Sequence, residues 1–177
     1  MLHGTKKTFM SMAFAAVLAA GLTPATATAH GGGDDDDGKD HKLTSQQRKL
    51  VKTLRDVTEE YRSLAEAKED GYKKVTPCVA KKGVGAMGFH YAKNSLIDGK
   101  TDARKPEVLV YMPNRDGKYQ LVAVEFLSTA KKRPTIAGVK FENGPFPGTF
   151  ALHAWIWRDN PDGMFAAYNP KLSCPKK

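Results

Sequence analysis

Cysteine is scarce in this chain: two residues, Cys78 and Cys174, among 177. That excludes a disulfide-dense mini-protein, and their wide separation excludes a local cysteine–zinc knuckle. No apolar run of about 18 residues occurs beyond the N-terminus, so no transmembrane segment is expected in the mature chain. No GxSxG nucleophile elbow and no internal repeat is present. Negative charge is the minority sign, 19 Asp and Glu against 28 Lys and Arg, for a formal net charge of +9. The basic residues are scattered in small groups such as Lys73-Lys74, Lys81-Lys82 and Lys131-Lys132-Arg133, with no interleaved aromatics, so nucleic acid is not an expected partner. Such charge serves solubility, or attraction to anionic envelope material.

The N-terminus has the pattern of a signal peptide. Lys6 and Lys7 form a positive start, Met10 to Leu22 an apolar stretch too short to span a bilayer, and Ala27-Thr28-Ala29 a small-residue cleavage site. Removal of residues 1–29 would leave a secreted or periplasmic protein starting at His30. Residues 30–43 (HGGGDDDDGKDHKL) cannot bury a core and read as a disordered lead-in. A new N-terminal His30 could in principle form a copper brace, but the Gly/Asp run behind it lacks the ordered strand a brace needs. His30, His41 and Asp34–Asp37 read as a solvated tail. In an oxidising compartment Cys78 and Cys174 are expected to pair, two free thiols being the alternative. The bridge would close a loop of nearly 100 residues, worth roughly 4–5 kcal/mol by chain entropy.

From residue 44 to 177 the chain reads as one α+β domain. Thr44 and Gln47 have capping-box spacing, and Leu50, Leu54, Val57, Tyr61 and Leu64 then mark one apolar face. One long helix is expected from about residue 45 to 69, stopped at Gly71. Four strands should follow: Met87–Tyr91, Glu107–Met112, Tyr119–Leu127 and Phe150–Trp157, with turn chemistry at 113–117 and 160–163. The expected architecture is a long N-terminal helix packed on a curved antiparallel sheet of about four strands, cystatin-like or cone-like.

Strand alternation selects the candidate site. Glu125 lies inside the apolar run VAVEFL, where a carboxyl must be paired, protonated or hydrogen-bonded. His90 lies in the first expected strand and His153 in the last. If the three converge, they could ligate a divalent metal, or serve as an acid/base group without one. Tyr91, Tyr111, Trp155 and Trp157 would wall the pocket. The alternative is that each is separately satisfied, since parity alone brings no distant residues together. The turn Asn160-Pro161-Asp162-Gly163, with Asn169-Pro170, reads as a device that sets up the disulfide. The leading reading is a binding protein for a metal ion or small ligand. An extracytoplasmic enzyme using the same trio and a basic protein docking on the cell envelope are the alternatives.

Several pieces together resemble a family of exported bacterial proteins of unknown function: Ala86-Met87-Gly88-Phe89-His90-Tyr91, Pro106-Glu107-Val108-Leu109, Val124-Glu125-Phe126, Leu152-His153-Ala154-Trp155 and the Asn-Pro-rich C-terminus. The resemblance covers residues 60–175. It implies an exported single domain and carries no activity.

The signal-peptide pattern makes a direct prediction. N-terminal sequencing of the secreted protein should read His30-Gly31-Gly32; a start at Met1 would contradict it.

Overall fold

The computed structural model describes residues 43–176. The expected signal peptide, its cleavage site, His30, His41 and the aspartate run lie outside the described residues.

Thr44 opens the first helix as its spacing predicts. Its hydroxyl accepts from the Gln47 N–H, and the Gln47 side chain accepts in return from the Thr44 N–H. Helix α1 (Ser45–Thr58) buries Leu50, Val51 and Leu54. It is not the long helix the apolar spacing predicts. A 3-10 turn (Glu60–Arg62) follows it, and Ser63 then adopts extended backbone and caps a separate short helix, α2 (Leu64–Glu69), through the Glu66 N–H. Hydrophobic periodicity runs straight through Ser63, but its hydroxyl offers backbone N–H groups a partner that a continuous helix does not need.

The rest of the fold is dominated by sheet. Four strands are long: β3 (Gly85–Ala92), β4 (Val108–Pro113), β5 (Tyr119–Ser128) and β9 (Phe150–Ala154). Three short ones extend their edges: β1 (Lys73–Lys74) and β2 (Val79–Lys81) both pair with β3, and β8 (Glu142–Asn143) pairs with β9. The result is a seven-stranded antiparallel sheet with the path β1-β3-β4-β5-β9-β8. A separate ribbon joins β6 (Thr135–Ile136) to β7 (Val139–Lys140). The expected layout of one long helix on about four strands, cystatin-like or cone-like, is thus corrected to a sheet-dominated fold. Strands of two or three residues carry no period-2 signal, so the sequence shows only the central four.

Both faces of this sheet are covered. Leu121 to Ser128 of β5 are buried without interruption, the mark of a central strand enclosed on both sides. On one face Leu50, Val51 and Leu54 of α1 cluster with Tyr91, Leu109, Tyr111, Val124 and Phe126. On the other, Val110, Ala123 and Trp155 cluster with Leu172 of the C-terminal segment. A bulge sets this division: Val110 pairs with Ala123 but Tyr111 with Leu121, leaving Val122 as an extra residue. Strict alternation predicts Leu121 and Ala123 on one side; the bulge sends Leu121 to the helix side.

The second face is closed by the tail. Asn160 and Gly163 shape the expected turn, with the Asn160 side chain accepting from the Asp162 N–H. The Trp155 N–H donates to the Met164 carbonyl, and Ala86 and Asn169 exchange a pair of backbone bonds. A Cβ on Gly85 would stand 2.3 Å from the Asn169 carbonyl oxygen, so only glycine lets the tail approach there. Cys174 then bridges to Cys78, 96 residues earlier.

A Cys78→Ala/Cys174→Ala variant should lose about 4 kcal/mol of unfolding free energy in urea, given the length of the closed loop. A loss below about 1 kcal/mol would show that the bridge does not hold the tail on the sheet.

Candidate metal centre

Three strands supply the site. On the tail-covered face, Glu125 of β5 lies directly across from His153 of β9. His90 of β3 reaches across β4, where it is opposite Val110. One ligand atom from each residue lies within 4.8 Å of the others. His90 Nε2 stands 3.7 Å from Glu125 Oε2, and the two imidazole rings meet edge-on with centroids 5.8 Å apart. All three are buried, with 5%, 7% and 5% of their surface exposed for His90, Glu125 and His153.

Local backbone features place His90. Gly88, two residues before it, has φ +127°, and a Cβ there would come within 2.7 Å of the Tyr111 carbonyl oxygen. Glycine therefore permits β3 to close on β4 at this point. Thr76 fixes the ring from the other side. Its hydroxyl oxygen accepts from the His90 backbone N–H at 3.2 Å and lies 3.0 Å from Nδ1. A metal on Nε2 requires the proton on Nδ1, and Thr76 Oγ1 is placed to accept it, as outer partners of metal-bound histidines do. The Val75 N–H also donates to the His90 carbonyl, and Cys78 is two residues beyond Thr76, so the disulfide anchors the segment that orients the imidazole.

Burial governs the charge of the trio. It lowers His90 to about 4. It lowers His153 to about 3, with His90 adding to the effect. It raises Glu125 to about 8, with the nearby Glu107 carboxyl contributing. The 3.7 Å spacing of His90 and Glu125 falls within ion-pair range, yet it exceeds a hydrogen bond, and the shifts of both groups oppose charge. Desolvation decides: the contact is between a neutral imidazole and a neutral carboxyl at pH 7. His153 Nε2 is fully buried and has no hydrogen-bond partner. A polar atom left in that state costs about 1–3 kcal/mol, so the site is short of one partner.

The donor set fits a transition-metal ion. Two imidazoles and one carboxylate suit zinc or non-haem iron(II) and leave coordination positions open. Ligand atoms about 2.0–2.2 Å from such an ion stand roughly 3.4 Å apart, so the trio, whose ligand atoms lie within 4.8 Å of one another, must draw in by up to about 1.4 Å.

A cavity of about 500 Å³ includes the trio in its lining. Val79 of β2, Val108 and Leu127 of the sheet, Ile97, Phe146 of the β8–β9 loop and Phe165 of the tail contribute its apolar surface. The expected aromatic wall lies elsewhere. Tyr91 and Tyr111 neighbour His90 and Val110 in sequence and so point to the helix side. Trp157 also belongs there, because β9 ends at Ala154 and parity stops with it. Its indole N–H donates to Thr58, and the Arg62 guanidinium lies over its ring. Trp155 stays beside His153, with stacked rings 6.4 Å apart, but it is buried under the tail and does not line the cavity. Phe146, Phe165, Ala167 and Tyr168 come from loops whose course no periodicity reveals. Thr76 had one available signal, its place just before the Pro77-Cys78 anchor.

No protein-family model, curated protein or solved structure matches the chain.

The charge state predicts a pH dependence for the metal-free protein. Folded, both histidines are neutral above pH 6.5; unfolded, they shed their remaining charge just above that pH, a gain in stability smaller than the loss from the two carboxyls. Glu125, raised on folding from 4.5 to about 8, stabilises the fold fully below 4.5 and loses that contribution as pH rises through 8. Glu107, raised to about 7 mainly by burial, acts in the same direction up to that pH. Unfolding free energy of chelator-treated protein should therefore fall between pH 6.5 and 8, and Glu125→Gln should flatten the part above pH 7. Stability that rises across this window would contradict the assignment.

Proposed function

We propose that the protein is exported and binds one divalent transition-metal ion through His90, Glu125 and His153, with the open coordination positions facing the cavity. The observation that carries this reading is the buried, partnerless Nε2 of His153 beside a carboxyl and a second imidazole. A metal ion answers all three groups at once. It accepts the lone pairs of both imidazoles and makes ionisation of Glu125 favourable where burial alone opposes it. Imidazole-rich coordination favours zinc, iron, copper or nickel over magnesium and calcium, which prefer all-oxygen sites. Export is supported by the N-terminal pattern and by the Cys78–Cys174 bridge, which persists in oxidising compartments. Among the described residues no helix is long and apolar enough to cross a membrane.

Metal content tests the reading, measured on untagged protein secreted from its full-length gene. The wild type should hold about one equivalent of metal, and a His90→Ala/His153→Ala variant well under a tenth. Glu125→Gln is the control for folding. Because Glu125 is neutral without metal, the amide replaces it at nearly constant shape and charge, so the variant should stay folded while losing the metal. Wild-type protein that takes up no zinc, cobalt, iron or copper, or a Glu125→Gln variant that keeps its metal, would overturn the proposal.

A further inference from the structure

The cavity above the trio restricts what can share the metal. Its volume of about 500 Å³ falls within the range of small-molecule sites. At about 30 Å³ for a water-sized group it holds on the order of fifteen non-hydrogen atoms. Its polar lining includes His90, Glu125, His153 and Thr76. Phe146 and Val75, which also line it, are 65% and 52% exposed. These are two of the three large apolar side chains left exposed among the described residues, and both border this cavity.

The charge of the lining is equally selective. The chain carries 28 Lys and Arg, yet among the described residues none of them lines this cavity. Glu142, which is exposed, is the only carboxyl-bearing side chain there besides Glu125. A phosphate or a second carboxylate on the ligand would find no cation along the walls, and a sugar would leave its hydroxyls facing Val79, Ile97 and Leu127. With a divalent ion held by one ionised carboxylate and two neutral imidazoles, the site carries one net positive charge. In an apolar enclosure a single negative group on the ligand neutralises it.

We infer that the cavity takes a monoanionic molecule with a single apolar body, a medium-chain or aryl monocarboxylate, whose carboxylate joins His90, Glu125 and His153 on the metal while its hydrocarbon lies between Val108, Leu127 and Phe165. This inference rests on the metal-site reading. No bond is made or broken in it; the proposal concerns recognition.

Calorimetric titration of zinc-loaded protein with acetate, butanoate, hexanoate and octanoate tests it, with zinc content measured on the same samples. Affinity should rise about threefold to fourfold per added methylene, and inorganic phosphate and glucose should not bind. Ala167→Phe, which fills the cavity from the tail side, should keep zinc but lose the gain beyond butanoate. Phe146→Ala, an exposed position that leaves the core untouched, should weaken octanoate several-fold and acetate hardly at all. Protein that holds zinc but binds all chain lengths alike, or prefers phosphate, would overturn the ligand class and leave the metal site standing. Protein that holds no zinc would overturn both.

Discussion

Desolvation of Glu125 is the constraint around which the tail-covered face is organised. A carboxyl at the centre of a sheet enclosed on both sides cannot hold its charge without a partner, and the two groups nearest to it are imidazoles that burial also keeps neutral. The cluster therefore folds as three uncharged groups, one of which has a nitrogen with nothing to bond. Each group is paid out of water without the gain a salt bridge would return. An ion of charge +2 reverses that balance, because it rewards ionisation of the carboxyl and the lone pairs of the imidazoles together.

The surroundings serve the same end. Gly88 lets β3 approach β4, and Thr76 holds the ring of His90 through both its backbone and Nδ1. The Cys78–Cys174 bridge ties the Thr76 segment to a tail that also carries Phe165 and Ala167 into the cavity lining. One covalent link thus joins the outer partner of a candidate ligand to the wall that shapes access to it. The opposite face of the sheet, where α1 packs, holds the larger hydrophobic cluster and contributes none of the three candidate ligands.

Much of this was readable in the sequence, and its limits have physical causes. The capping box at Thr44, the four long strands and His90, Glu125 and His153 as separate candidates are legible in periodicity and in a carboxyl placed in an apolar run; their convergence is visible only in the fold. Periodicity could not see Ser63 interrupt the helix, because an apolar stripe continues across the break. It could not see β1, β2 or β8, which are too short to alternate. Parity groups Trp157 with His153 only if the strand runs three residues past Ala154, and it groups Leu121 with Ala123 because a bulge is invisible to counting. Tyr91 and Tyr111 have the aromatic character of a pocket wall, but adjacency to His90 and Val110 sends them to the other face. The cavity walls come from loops and a tail, whose positions depend on tertiary contacts rather than local pattern.

The most direct measurement is anomalous X-ray diffraction from crystals of the protein grown with zinc. The account predicts one strong peak among His90 Nε2, His153 Nε2 and the Glu125 carboxylate, with Thr76 still bonded to His90 Nδ1. A peak elsewhere on the molecule, with the trio unchanged and His153 Nε2 still without a partner, would contradict it.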